Sequence, residues 1–233
     1  LTKGNFDPTV APLVNAYGFG PNEKINVDSA IVDSLRSLVG LDQVKHSGDT
    51  VWLGQGQRLD FNAIAQGYSV DIVRQFFNTK NIDSYIIEIG GEVYAKGLND
   101  KDFWLVGIEI PIANQKSLNS YHTIVKLENK AIATSGNYRR YIIENGEKIV
   151  HHIDPKTGYP TKNNLLSASV FSKQCISSDA NATGILVMGL EKAKDFLNKH
   201  TELQAYLIYS DQNGNYLIYE TPGIKSIITE VAD

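Results

Sequence analysis

The sequence predicts an α+β fold, with mostly antiparallel sheets and several packed helices. Three observations lead there. Between residues 84 and 151 apolar runs of strand length follow one another in quick succession, too closely spaced for crossover helices. Hairpin-forming turns, Asn145-Gly146 and Asp211-Gln212-Asn213-Gly214, join neighbouring runs. Helical periodicity is confined to a few longer stretches and does not alternate with the strands as in a doubly wound sheet.

Taken in order, residues 7–20 form a segment punctuated by Pro and Gly. Pro8 and Pro12 suit early helical turns, and Gly18-Phe19-Gly20-Pro21 ends the segment. Ser29 to Leu38 reads as a helix with Ile31, Leu35 and Leu38 on one stripe. Val51 to Leu53 and Leu59 to Phe61 read as short strands around a turn at Gly54-Gln55-Gly56. Ala63 to Asn78 predicts a long helix with an apolar face of Ile64, Tyr68, Ile72 and Phe76. Strands are expected at Ser84–Ile89, Glu92–Ala95, Phe103–Ile110, Tyr121–Leu127, Ala131–Thr134, Tyr138–Ile143 and Lys148–His151. Gly90-Gly91 reads as a tight turn or a close backbone approach. A strand at Ser167–Phe171, helices at 178–188 and 190–200, and a hairpin of Gln204–Tyr209 with Tyr216–Tyr219 complete the layout.

Composition limits the function. Of 233 residues, 42% are hydrophobic and 21% charged, which describes an ordinary globular protein with ample core. The formal net charge is −4 and no basic patch stands out, Arg139-Arg140 being an isolated pair, so nucleic acid is not an expected partner. Cys175 is the single cysteine, which excludes an internal disulfide and a Cys-based zinc site. The chain starts at Leu1 without a signal peptide and reads as a fragment or a processed form.

Four runs carry candidate chemistry. In Cys175-Ile176-Ser177-Ser178-Asp179-Ala180-Asn181-Ala182-Thr183-Gly184, Ser177 or Ser178 is placed to cap a helix with Asp179 in its first turn. Asp179 and Thr183 lie four residues apart, so a carboxylate and a hydroxyl share a helix face. Such hard oxygen ligands suit Mg²⁺; an ordinary capped helix with Thr183 bonded back to a carbonyl is the competing reading. Leu59-Asp60-Phe61-Asn62-Ala63-Ile64-Ala65-Gln66-Gly67-Tyr68 passes from strand to helix through small residues. Its backbone N–H groups could receive a phosphate, with Asp60 and Gln66 as polar contacts, or the run could be a plain strand–helix corner with an N-cap. Ala131-Ile132-Ala133-Thr134-Ser135-Gly136-Asn137-Tyr138 ends a strand in a small polar loop, a nucleotide contact or a plain turn. His151-His152-Ile153-Asp154-Pro155-Lys156-Thr157-Gly158-Tyr159-Pro160 sets two imidazoles before a rigid turn, as a general base or a structural histidine.

Together these blocks resemble one family. Asn5-Phe6-Asp7-Pro8-Thr9-Val10-Ala11-Pro12-Leu13-Val14-Asn15-Ala16-Tyr17-Gly18-Phe19-Gly20 is similar to an opening motif of the ApbE-type FAD:protein FMN transferases. The block from Leu59 to Asp71, Ile89-Gly90-Gly91-Glu92, Ala133 to Tyr138, His151 to Gly158 and Asp179…Thr183 resemble further motifs of that family, in its order. The resemblance implies an ApbE-like, T-fold-like architecture over residues 1–233 as one domain that lacks the family's N-terminal part. It implies Mg²⁺-dependent transfer of FMN from FAD to a Thr or Ser hydroxyl of an acceptor protein, with release of AMP. FAD hydrolysis to FMN and AMP, and non-catalytic flavin binding, are the alternatives.

By the same resemblance the metal ligands are Asp179, Thr183 and the Ala63 carbonyl. The FAD contacts are Asn5, Phe6, Asp7, Asp60, Gln66 and Ile153, and the essential histidine is His151. His152 stands where the family often has Ile, and Gln66 where Lys or Glu is frequent. The implied location is extracytoplasmic, on a lipid anchor that this chain does not contain. No acceptor-like Asp-x-x-[Ser/Thr]-[Gly/Ala]-Ala-[Ser/Thr] run occurs in the chain, so the expected acceptor is another protein.

Overall fold

The computed structural model describes residues 1–109, 121–137, 141–144 and 146–230. A short 3₁₀ turn at Pro8–Val10 leads into α1 (Ala11–Ala16), followed by α2 (Ser29–Arg36). Asp28 caps α2, its carboxylate accepting from the Ile31 N–H at 2.8 Å. A small hairpin, β1 (Lys45–Ser47) and β2 (Thr50–Trp52), precedes α3 (Ala65–Thr79).

The remaining strands are β3 (Tyr85–Ile89), β4 (Glu92–Lys96), β5 (Trp104–Glu109), β6 (Tyr121–Leu127), β7 (Lys130–Gly136), β8 (Tyr141–Glu144), β9 (Glu147–Val150), β10 (Leu165–Ser172), β11 (Gln204–Ser210), β12 (Tyr216–Glu220) and β13 (Ile228–Glu230). Between β10 and β11 run α4 (Cys175–Met188) and α5 (Leu190–Lys199). A six-stranded antiparallel sheet has the order β12-β11-β10-β7-β4-β3, and a second sheet the order β13-β6-β5. The α+β expectation holds.

Strand alternation explains why both faces of the large sheet are buried. On β11, Ala205 and Leu207 point to α4 and α5 and pack with Ala182, Ile185, Leu186 and Leu197. Tyr206 and Ile208 point the opposite way, toward Val125, Leu127 and Ile108 of the small sheet. On β10, Val170 and Phe171 divide in the same manner. The sheet is therefore layered between helices and a second sheet, and α4, apolar almost all round, is a buried helix rather than an amphipathic one.

Several sequence expectations need correction. Leu59–Phe61 is irregular rather than a strand, because its backbone turns to meet the N-terminal segment: the Asp60 N–H donates to the Pro8 carbonyl at 2.6 Å. The face of α3 expected in the core is exposed at Tyr68, Ile72 and Phe76, whereas Gly67, Val70 and Asp71 are buried. On α2, Val32 rather than Leu35 or Leu38 is the buried residue. The helix of the Asp179 run starts at Cys175, so Ser177 and Ser178 lie within its first turn and do not cap it. Tyr138 to Arg140 and Asn145 lie outside the described residues.

Candidate active site

The site is built on the crossing of α3 and α4. Neither helix has a side-chain cap from its own flanking residue, and each receives a carboxylate from the other. Asp71 on α3 accepts from the Ile176 N–H at 2.9 Å, and Asp179 on α4 accepts from the Gly67 N–H at 3.0 Å. These exchanged carboxylates satisfy N–H groups that a helix start leaves without partners, and the positive end of each dipole favours them. The crossing needs glycine at position 67. A Cβ there would lie 2.5 Å from the Cys175 carbonyl oxygen and 2.8 Å from the Asp179 Cβ.

Asp179 is 4% exposed, and burial raises its pKa from 3.8 to about 6 against the opposing pull of the Gly67 hydrogen bond. One turn along α4, the Thr183 hydroxyl lies 3.1 Å from the Ser135 hydroxyl at the end of β7. Thr183 is thus turned to a neighbouring strand.

Both side chains open on a cavity of about 520 Å³, a size typical of small-molecule sites. One wall is the N-terminal segment with Asn5, Phe6 and Asp7. Asp7 Oδ1 accepts from the Thr9 N–H and hydroxyl at 2.9 and 2.6 Å. Asn5 accepts from Lys156 Nζ at 2.9 Å and donates to the Thr2 carbonyl at 2.7 Å, which ties this wall to the turn after His151.

A second wall is the approach to α3, with Asp60, Ala63 and Gln66. Asp60 accepts from the Asn62 N–H at 2.7 Å in a local turn and does not cap the helix, whose flanking residue is Ile64. Gln66 lies against Gly90, where its amide occupies the space a Cβ would need; Gly90 also has φ +67°, so both conformation and contact require glycine. The third wall is His151 and Ile153. The Ile153 side chain is buried with Leu13, Tyr17 and Phe19. Phe19 presents its edge to the His151 ring at 6.2 Å between centroids.

The pattern of an ApbE family model matches residues 1–207. This chain belongs to the ApbE family. The FAD:protein FMN transferase of Vibrio cholerae is 38% identical over 196 residues, covering 82% of this chain and 58% of that protein. The Escherichia coli FAD:protein FMN transferase is 30% identical over 235 residues, 97% of this chain and 66% of the relative. The chain thus spans about three-fifths of the length of these curated relatives. The apo structure of the Pseudomonas stutzeri flavinyl transferase ApbE superposes with a TM-score of 0.83 at 29% identity, covering 97% of this chain and 70% of that one. The Vibrio cholerae flavin transferase ApbE gives the same TM-score at 33% identity, covering 97% and 72%.

All ten site residues expected from the family resemblance line this one cavity. Gly67, Glu92 and Asn137 have no individual role in the sequence reading, and Ser135 stands there only as one hydroxyl of a possible nucleotide-contacting run. Glu92 and Ser135 line the cavity, Gly67 sets the helix crossing, and Asn137 is a buried amide behind the histidines. Each stands in or beside a block noted in the sequence, yet a small or polar residue at a strand end carries no local sign of such a contact.

Proposed function

We propose that this chain transfers the FMN half of FAD to a Thr or Ser hydroxyl of an acceptor protein through a phosphodiester bond, releasing AMP, with Mg²⁺ in the site. The observation that carries the reading is that Asp179, Thr183 and Ala63 offer hard oxygen donors to the same cavity that His151 lines. The Asp and Glu residues on that wall are Asp7, Asp60, Glu92 and Asp179, and no Lys or Arg is among the described lining residues. A pyrophosphate entering without a cation would meet like charge. Among the described residues no three His, Cys, Asp or Glu side chains cluster as a self-sufficient metal cage. A donor set of one carboxylate, one hydroxyl and one carbonyl, completed by phosphate oxygens and water, fits Mg²⁺.

Asp179, Thr183 and the Ala63 carbonyl would hold the ion, which when bound neutralises charge on the phosphate oxygens. Asn5, Phe6, Asp7, Asp60, Gln66 and Ile153 form the FAD-binding wall in this reading. Gly67 keeps Asp179 oriented by holding one carboxylate oxygen, and Ser135 keeps the Thr183 hydroxyl in place. His151 accepts the proton of the attacking hydroxyl. That oxygen bonds to the FMN phosphorus, the bond from this phosphorus to the AMP oxygen breaks, and AMP leaves with the electron pair. Proton transfer of this kind contributes about 10²–10⁴-fold in rate.

The test is mass spectrometry of an acceptor domain incubated with the chain, FAD and Mg²⁺, with an EDTA control. A Mg²⁺-dependent gain of one FMN with release of AMP is expected. Free FMN and AMP without labelling would replace the transferase by a hydrolase, and no Mg²⁺-dependent product would reject both. For the whole protein, the family resemblance supports an extracytoplasmic location on a lipid anchor, tested by fractionating cells that express it.

A further inference from the structure

His151 has a neighbour for which the proposed chemistry has no use. His152 is 6% exposed, also lines the cavity, and packs its ring on that of His151 with centroids 3.9 Å apart and planes tilted by 45°. Its backbone is fixed by the Thr161 N–H, which donates to the His152 carbonyl at 2.9 Å. Its ring is fixed by Asn137, whose Oδ1 lies 2.8 Å from His152 Nδ1.

The proton on that contact is determined by a third group. Asn137 Nδ2 donates to the Leu165 carbonyl at 3.0 Å, and a carbonyl can only accept, so the amide orientation is settled. Asn137 Oδ1 must then accept from His152, which places the proton on Nδ1 and leaves Nε2 with its lone pair. Asn137 is itself held by its backbone N–H on the Leu166 carbonyl at 2.9 Å and is 6% exposed. The chain of contacts runs from β10 through Asn137 and His152 to the face of His151.

We propose that His152, locked by Asn137 as the Nδ1–H tautomer, is a positioning residue that sets the ring plane of His151. This role rests on the reading of His151 as the proton acceptor. Burial, and then the neighbouring His151, keep the pKa of His152 well below the usual imidazole value, so the ring against His151 is uncharged. An uncharged aromatic face tolerates the imidazolium that His151 becomes on taking a proton, where a second cation would oppose it. Phe19 makes a T-shaped contact with the same ring, so His151 touches two aromatic rings.

The experiment has a spectroscopic and a kinetic arm. Long-range ¹⁵N–¹H correlation spectra of the histidine-labelled chain, recorded without substrate, should show His152 protonated at Nδ1 and bare at Nε2. A proton on Nε2, or a charged ring at neutral pH, would overturn the proposal. His152→Ala should move the His151 ring-proton shifts toward solvent values and lower kcat for FMN transfer by about ten- to hundredfold, the cost of a misplaced reacting group. The KM for FAD should change little. His152→Phe, which keeps a ring without nitrogen, should recover most of both effects. Wild-type kcat in His152→Ala, or a His152→Phe as impaired as the alanine variant, would refute the positioning role. Since the spectra need no turnover, a chain that transfers no FMN would reject the proposed function while the tautomer and the His151 shifts still decide the role of His152.

Discussion

Replacing Gly67 by alanine sets two magnitudes of opposite sign against each other. Position 67 lies in the first turn of a regular helix, and helix propensity alone favours alanine over glycine by about 0.8–1 kcal/mol. Against this stands the new methyl group, 2.5 Å from the Cys175 carbonyl oxygen and 2.8 Å from its carbon, both backbone atoms of α4. Neither can rotate aside, so the helices must part by most of an ångström to reach ordinary contact. Overpacking of this kind typically costs about 1–3 kcal/mol. The separation also stretches the buried bond from the Gly67 N–H to the Asp179 carboxylate, 3.0 Å long and of a class worth about 1.5–3 kcal/mol. The sterics and the lost bond outweigh the propensity, and Gly67→Ala should destabilise the chain by about 2–4 kcal/mol, with a fall in Tm of roughly 5–15 °C. Urea and thermal unfolding measure this, with Gln75→Ala on the exposed face of α3 as the propensity-only control. Mg²⁺ affinity, followed by calorimetry, should fall as well because Asp179 loses its orienting partner. A Gly67→Ala chain as stable as wild type, with unchanged Mg²⁺ affinity, would refute the close-crossing argument.

Three further outcomes follow from the site. Asp179 binds its proton more tightly folded than unfolded, so metal-free stability should drop as pH rises from about 4 to about 6. The drop reaches up to about 3 kcal/mol, should vanish in Asp179→Asn, and is read by urea unfolding across pH. His151→Ala should slow FMN transfer by about 10²–10⁴-fold while FAD binding, followed by flavin fluorescence, persists. Cys175 is fully buried, and burial, then the carboxylates of Asp71, Glu92 and Asp179, push its thiol pKa up. It should therefore resist a thiol reagent in the native chain and react only on unfolding, and rapid native labelling would contradict this.

The sheets were legible in the sequence because their signals are local. Short alternating runs and Asn-Gly or Gly-Gly turns report strand pairing between neighbours, and β3–β4, β11–β12 and most other strands fall where those signals place them. β13 escaped because three residues carry too little pattern. The buried face of α3 differs from the one its periodicity predicts for another reason. Ile64, Tyr68, Ile72 and Phe76 form the more apolar stripe, yet α3 buries the stripe containing Gly67, Val70 and Asp71. Hydrophobic periodicity selects the face with most apolar area, whereas this helix packs the smaller apolar set of Val70, Val73 and Phe77 into the core, on the side where Gly67 allows close backbone approach and carboxylates are hydrogen-bonded.

That same docking limits what local reading can say of the site. A helix start is normally sought in its own flanking Ser, Thr, Asp or Asn, and Ser177 and Ser178 look suitable. The cap of α4 instead comes from Asp71, more than a hundred residues earlier, and that of α3 from Asp179, more than a hundred residues later. Each carboxylate acquires its capping partner only when the two helices cross. This exchange also explains how Asp179 can be buried with no cation of the described residues beside it: one oxygen is satisfied by α3, and the carboxylate stays at the cavity wall. Asp71, by contrast, has Arg74 at 3.5 Å and does not line the cavity. Two acids with the same capping function thus differ in the one respect that matters for chemistry. Arg74, three residues along the same helix, neutralises Asp71 and is readable in the local sequence, whereas the burial of Asp179 at the cavity wall with no basic partner among the described residues is fixed by the tertiary fold.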